Sequence, residues 1–459
     1  MSETASAGTQ KASVNADKGG TILKSLLIIA VPIILGNLLE CVTEVVDLHF
    51  IGELGETVMA GASAAGSVTW LLLTFLLGVG VAVAAYVARA YGMKNKRLVS
   101  QSLSHSFIFG IIISVILVIV GVFFSDQIML LMTQGNAEIA ACGAAYLRPM
   151  LIASFILAVL FIMTSAFQAI GKSVIPMLVL IGVNVLNAIL NPVLISAFGI
   201  AGSAYATIIA RGLGGAAMIV LMYTLPCAKN AGLRFSHPFR WSTKLFSGIA
   251  TVAIPSSIQG CIRNFGLMIM TALIAFFGTA TVAAYGVCTR TDIIGLMIGM
   301  GIAEAVCILV GQCLGEGKVD RAVRTVRYAA VFNAVIMGIT AIIFMTAAPA
   351  ILSFFGAEGE VMSIGLIWMS MVPLASILMG IAFTFGYAMN GAGMTWPGMI
   401  GAVIGQVVIP IAVTVLAVVN GWPVAVVFAG VCAGIAANFI FDFVFYKSGI
   451  WKEHNLRVA

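Results

Sequence analysis

Twelve times along this chain an apolar run of twenty or more residues is broken by a short polar stretch, and that recurrence limits the fold more than any single motif. The runs lie near 23–50, 58–88, 101–124, 139–169, 174–198, 203–225, 247–277, 281–311, 325–354, 361–390, 397–418 and 423–446. Each bilayer crossing by a helix needs roughly 20 apolar residues. Transmembrane barrel strands alternate over about 10 positions, and these runs do not alternate. Only 9% of the 459 residues are charged, against about 25% in a soluble domain. The expectation is an all-α integral membrane protein of twelve transmembrane helices.

Charge sets the orientation. Eighteen of the 23 Lys and Arg residues fall on the side shared by both termini, among them Lys94, Lys96, Arg97, Lys172, Arg234, Arg240, Lys318, Arg321, Arg324 and Lys447. The opposite loops carry Glu53, Glu56, Asp126, Glu138, Glu358 and Glu360 instead. The positive-inside rule then makes both termini cytoplasmic in a plasma (inner) membrane. The net charge of +6 is explained by topology, so no nucleic-acid partner is implied. The polar start, with no apolar core of its own, reads as a flexible cytoplasmic tail and not a cleavable signal. Eight cysteines form no CxxC pair and read as packing residues, and four scattered histidines make no metal motif. No cofactor is expected, and no nucleophile elbow or phosphate loop points to an enzyme.

The chain repeats itself. "AVP" at 30–32 matches "AIP" at 253–255, and the same shift superposes Gly55 on Gly278, Gly78 on Gly301 and Gly92 on Gly315. "AIGKSVIP" (169–176) corresponds to "GAGMTWP" (391–397) at nearly that shift. Six spans per half make the repeats parallel, related by an axis along the membrane normal. The expected organisation is a tail (1–22), an N-terminal six-helix bundle (23–225), a cytoplasmic linker (226–246), a C-terminal six-helix bundle (247–448) and a short C-terminal tail (449–459), with a central cavity. A monomer suffices, because each half finds its partner in the same chain.

Three carboxylates interrupt the first span, in "NLLECVTEVVDLHF" (37–50). At roughly 100° per residue, Asn37, Glu40, Glu44 and Asp47 occupy an arc of about 80°. A carboxylate near the bilayer centre costs about 2.5 kcal/mol or more on the insertion scale. The cluster therefore faces a wet cavity, takes partners or carries protons. The repeat shift places Met270, Leu267 and Arg263 at the positions of Asp47, Glu44 and Glu40, so the acids belong to the first half alone. Glu304 is a second cavity candidate. Asp292 is placed to pair with Arg290, and Asp442 reads as a helix-end contact. The fifth span holds Asn184, Asn187 and Asn191, the last two on one face. These amides act as interhelical glue or as oxygen ligands for a small cation.

In combination, "VPIILGNLLECVTEVVDLHFIGELG" with Pro32 fifteen residues before Asp47, "LNAILNPVLI", "GIAGSAYATIIA" (199–210) and the paired glycine loops resemble the multidrug and toxic compound extrusion (MATE) transporters, specifically their DinF-like prokaryotic branch. The resemblance spans nearly the whole chain. It implies two bundles and export of bulky amphipathic, often cationic compounds against inward H⁺ or Na⁺. It also implies a coupling site that maps onto Asp47, Asn187, Asn191 and Thr207. Neutralising that site by a proton or Na⁺ would let the first helix shift at Pro32, where the helix is weakest. Two departures stand out. Asn191 occupies a position where the branch usually has an acid, and Glu44 occupies one where the family commonly has Asn, so an acid lost on one helix is regained on another. Asn37, Gln259 and Arg263 are cavity candidates for substrate. The rival reading is a flippase for lipid-linked saccharide or peptidoglycan precursors, kept open by Arg148, Arg211, Arg263 and Arg290.

Overall fold

The computed structural model describes residues 19–235 and 239–454. Residues 1–18 of the expected N-terminal tail, 236–238 of the linker and 455–459 of the C-terminal tail lie outside the described residues. The described elements of the first repeat are α1 (Gly19–Gly52), α2 (Glu56–Gly92), α3 (Lys96–Phe123), α4 (Ser125–Met132), α5 (Ala137–Ile152), α6 (Ser154–Ala169), α7 (Val174–Phe198) and α8 (Ile200–Thr224). A short α9 (Pro226–Ala231) follows. The second repeat comprises α10 (Thr243–Ile274), a 3₁₀ turn (Ala275–Phe277), α11 (Thr279–Gly315), α12 (Val319–Thr346), α13 (Ala348–Phe354), α14 (Gly359–Gly391), α15 (Trp396–Ala402), a π-helical turn (Val403–Val408), α16 (Ile409–Asn420) and α17 (Val424–Ser448). It ends in α18 (Ile450–Glu453).

Eleven of these helical stretches are long and apolar enough to cross a membrane, and α5 with α6 makes a twelfth span bent by 55°. Pro149 sits one turn before that break, where its missing N–H and its ring weaken the helix. Among the described residues the structure is thus all-helical, that of a multi-pass membrane protein with the expected twelve spans.

The repeat is visible in the backbone. α2 and α11 are both 37 residues long. They start after Gly55 (φ 109°, ψ 167°) and Gly278 (φ 104°, ψ 164°), a conformation that a Cβ disfavours. These are the two glycines that the sequence repeat superposes. α7 finds its counterpart in the stretch from α15 to α16, which the π turn interrupts.

The helices form two compact units. The first comprises residues 35–264, and the second comprises residues 19–34 with 265–454. The chain therefore changes unit inside α1, between Ile34 and Leu35, and again inside α10, between Asn264 and Phe265. Small residues explain both attachments. In the first unit, a Cβ on Gly78 of α2 would lie 2.7 Å from Ala253 O and 2.7 Å from Ser257 N of α10. In the second unit, a Cβ on Gly301 of α11 would lie 3.1 Å from Ile34 N of α1. Such positions let helix backbones approach closely, the main packing device where lipid offers no hydrophobic drive. Ser257 Oγ also donates to Phe75 O (3.1 Å), and Asn264 Nδ2 donates to Thr74 Oγ1 (3.3 Å).

α7 has the polarity of a helix solvated by lipid. Leu178, Ile181, Val185, Ile189 and Val193 form an exposed apolar stripe, while Asn187 and Asn191 are buried on the opposite face. In water this pattern would be inverted.

Candidate functional site

The acidic face of α1 lies in the first unit, in the segment from Leu35 to Gly52, and each of its three carboxylates is fastened to a different helix. Asp47 Oδ1 accepts from Asn191 Nδ2 of α7 at 2.5 Å. Glu44 Oε1 accepts from the indole Nε1–H of Trp70 on α2. Glu40 Oε2 accepts from Arg211 Nη2 of α8 at 2.6 Å. The face that the helical spacing brings together is thereby the surface on which α1 meets α2, α7 and α8.

Behind Asp47 the bonding continues without a break. Asn191 Nδ2 also donates to Asn187 Oδ1 (3.2 Å), one turn back along α7, and Asn187 Nδ2 donates to Thr207 Oγ1 on α8 (3.1 Å). Asn191, Asn187 and Thr207 are buried and Asp47 is half-buried. This string joins four of the residues singled out from the sequence. Asn191 Oδ1 remains a buried acceptor without a partner. A buried polar atom left unpaired costs about 1–3 kcal/mol, so this oxygen is available to any species that enters beside Asp47.

Ile51, Ala62, Ile195 and Ile200 form an apolar cluster in this unit, with Tyr146 packed against it. In the second unit, the positions equivalent to Asp47, Asn187 and Asn191 are Met270, Ile409 and Val413. Met270 is 3% exposed and belongs to an apolar core with Ile274, Tyr285 and Phe428.

The other candidates lie outside this string. Glu44 and Glu40 flank it on α1 with the partners already given. Asn37 is half-buried on α1, and Gln259 and Arg263 are half-buried on α10. Pro32 lies inside an unbroken α1, in its stretch belonging to the second unit. Glu304 is half-buried on α11, in the second unit. Asn184 is half-buried with its Nδ2 unpartnered.

Two expectations are corrected. Asp292 does not pair with Arg290: its Oδ2 accepts from Trp368 Nε1 of α14 at 2.7 Å, and Arg290 is exposed. Residues two apart on a helix point away from each other. Asp442 is not a helix-end contact at the surface, since it is 4% exposed and bonded to Asn438 within the second unit. Sequence reasoning also missed two partners. Arg211 and Trp70 carried no local signal of proximity to Glu40 and Glu44, from which they stand 171 and 26 residues away.

Arg148 pairs with Asp126 at 2.5 Å, with side chains 44% and 61% exposed. Arg211 and Arg148, two of the arginines that keep the flippase reading open, thus have carboxylate partners in the first unit.

A polytopic helical chain made of two repeats, with a half-buried carboxylate bonded to a buried amide string in one of them, has the architecture of a membrane transporter. The MatE family model matches residues 32–193 and again 255–416, two segments whose starts bear the same offset that aligns the glycines. The chain belongs to the MatE family of multidrug and toxic compound extrusion transporters. It is 27% identical over 450 residues to "Probable multidrug resistance protein YoeA" of Bacillus subtilis, covering 95% of this chain and 96% of that one. It is 24% identical to the multidrug export protein MepA of Staphylococcus saprophyticus, covering 87% and 88%. Its fold superposes with a TM-score of 0.84, at 20% identity and over 94% of this chain and 97% of the other, on a multidrug resistance MATE family transporter of the MOP superfamily in its outward-facing conformation.

Proposed function

We propose that this protein is a secondary antiporter of a plasma membrane, exporting amphipathic, cationic small molecules in exchange for H⁺ or Na⁺, with Asp47 as its coupling group. The observation that carries this reading is the string Asp47–Asn191–Asn187–Thr207. It ties the half of α1 in the first unit to α7 and α8 through a single carboxylate, so a change of charge on that carboxylate acts on helix packing. The names of the relatives supply the drug-export part, and the outward-facing solved relative supports alternating access.

The two ions would use the string differently. A proton arriving at Asp47 removes the negative charge that Asn191 Nδ2 bonds, and charge-assisted bonds are roughly twice as strong as neutral ones. Sodium needs oxygens. A half-turn of the Asn191 amide presents its unpartnered Oδ1 beside Asp47, with Asn187 Oδ1 and Thr207 Oγ1 next in line. A proton thus loosens α1 from α7, whereas sodium held by oxygens of both helices draws them together. In either case the ion resets the packing of α1 on α7, substrate leaves outward, and the cavity regains its charge when the ion departs inward. Glu44 keeps a second carboxylate on the same helix face. The proposal includes cytoplasmic termini, a monomer, the DinF-like branch, a hinge at Pro32, and Asn37, Gln259 and Arg263 along the substrate path. Pairing of Arg211 with Glu40 and of Arg148 with Asp126 weighs against a cationic pyrophosphate path, and so against the flippase.

The test is efflux of a cationic dye from reconstituted vesicles under an imposed proton or sodium gradient, for wild type and Asp47→Asn. Efflux driven by one gradient and lost in the variant supports the assignment and names the ion. Efflux unchanged by the substitution removes Asp47 from coupling, and no dye movement under either gradient favours the lipid-precursor flippase.

A further inference from the structure

The second unit holds its own buried carboxylate, and nothing in the Asp47 reading uses it. Asp442 on α17 is 4% exposed. Its Oδ2 accepts from Asn438 Nδ2 at 2.8 Å, one turn back on the same helix. Asn438, also 4% exposed, accepts at its Oδ1 from Gln406 Nε2 at 3.2 Å. Asp442 Oδ1 is buried without a partner. A Cβ on Gly401 of α15 would stand 3.0 Å from that oxygen, and one on Gly386 of α14 would stand 3.7 Å from Oδ2. The carboxyl group is thus enclosed between α14, α15 and α17 by positions that carry no side chain.

Among the described residues no basic side chain bonds this carboxyl group, and Arg327 of α12 acts on the neighbouring Tyr446. Beyond Glu360 at its start, α14 contains no Asp, Glu, Lys, Arg or His, nor do α15 and the π turn, and Tyr387 is the one further titratable side chain among them. On α17 the nearest titratable groups are Tyr446, stacked on Phe385 and Trp451, and Lys447, whose ammonium lies over the Phe443 ring. An ionised carboxylate enclosed in this way is far costlier than a neutral acid. A sodium ion would need several oxygens, whereas the neighbouring amides present N–H groups to Asp442 Oδ2 and Asn438 Oδ1. The ligand these atoms suit is a proton.

The donor behind Asn438 comes from an unusual backbone. Gln406 lies in the π turn Val403–Val408, a local widening found frequently at functional sites. Gly405 packs directly on Gly434 O and Asn438 N, so a change of register in the turn moves both ends of the Gln406–Asn438 bond. We propose that Asp442 is an exchangeable proton-binding site of the second unit, separate from Asp47, with Asn438 and Gln406 holding its carboxyl group. Loss of the Gln406 bond frees Asn438 to leave Oδ2, and the two states of the π turn then differ in their hold on the proton.

Infrared difference spectroscopy of the full-length protein, titrated over the pH range in which it stays folded, tests this without reference to transport. Wild type is expected to lose a protonated-carboxyl band as pH rises. Asp442→Asn removes that change, Asp47→Asn retains it, and Asn438→Leu shifts the frequency of the same band with Asp442 still present. Should Asp442→Asn fail to fold, Asn438→Leu decides. Titrating carboxyl signals identical in wild type and both unit-two variants overturn the proposal. So does an Asp442 band that persists at every pH, which marks a permanently neutral structural acid. Failure of the Asp47 coupling model would leave these spectra unaltered.

Discussion

Arg211 Nη2 on α8 and Glu40 Oε2 on α1 stand 2.6 Å apart, with side chains only 14% and 22% exposed. Arg211 lies one turn from Thr207, so α8 contributes both the end of the Asp47 string and the counter-charge of Glu40, two turns before Asp47 on α1.

Breaking this pair from one side leaves a partly buried charge without compensation. Full burial makes such a loss worth about 3–5 kcal/mol, and partial exposure reduces it, so Arg211→Leu should cost about 2 kcal/mol. Arg211→Leu combined with Glu40→Leu should recover most of that loss. Thermal unfolding of the four proteins in one detergent, read as a double-mutant cycle, checks it.

Thr207→Val keeps the shape of the side chain and removes its hydroxyl. Asn187 Nδ2 then loses its acceptor, at a cost of about 1–3 kcal/mol. Because Asn187 bonds onward to Asn191, efflux should fall together with stability. Asn191→Leu should reduce efflux further, since it takes away the direct donor to Asp47. Dye efflux and unfolding temperature measured on the same preparations separate the two effects.

Glu44→Gln preserves an acceptor for Trp70 Nε1–H and should leave stability within about 0.5 kcal/mol of wild type. If Glu44 is the second carboxylate of the coupling site, gradient-driven efflux falls severalfold. Unaltered efflux would make Glu44 a packing contact of α1 with α2.

Gly78→Ala and Gly301→Ala probe the same position of the two repeats with different neighbours. The new methyl at 78 meets the Ser257 hydroxyl first and, just behind it, two backbone atoms, Ala253 O and Ser257 N, both at 2.7 Å. At 301 its nearest atom is the side-chain Cγ1 of Ile34 at 2.6 Å, with backbone no closer than 3.1 Å. Overpacking costs about 1–3 kcal/mol, and Gly78→Ala should lie at the upper end of that range and Gly301→Ala at the lower. Unfolding midpoints of the two variants give the order.

These contrasts separate what a sequence carries from what it does not. Span positions follow from the length of apolar runs, and the repeat follows from glycines such as Gly55 and Gly278 whose backbone no other residue adopts easily. The common face of Glu40, Glu44 and Asp47 follows from helical geometry alone. Which helix meets that face is a separate matter, because α7 and α8 lie far along the chain from α1 and an apolar face is compatible with many neighbours. Arg211 is therefore legible as an intramembrane cation but not as the partner of Glu40. The pairing of Asp292 fails for the opposite reason: a nearby Arg290 suggests a contact that helical geometry forbids. The division of α1 at Ile34 and of α10 at Asn264 leaves no mark in composition, since it depends on which small residues, Gly301 or Gly78, receive the backbone.

That division has a consequence for how the molecule is made. Residues 19–34 are synthesised before the whole of the first unit, yet the α11 surface around Gly301 on which they pack is translated only well into the second repeat. The first unit is likewise incomplete until the stretch of α10 up to Asn264 has been added. Neither unit can close in the order in which the chain is produced, and contacts of such long sequence separation slow folding. Cutting the chain in the linker between the repeats would give two fragments, each carrying a helix segment that belongs to the other's unit. The fragments should insert separately and mature only together.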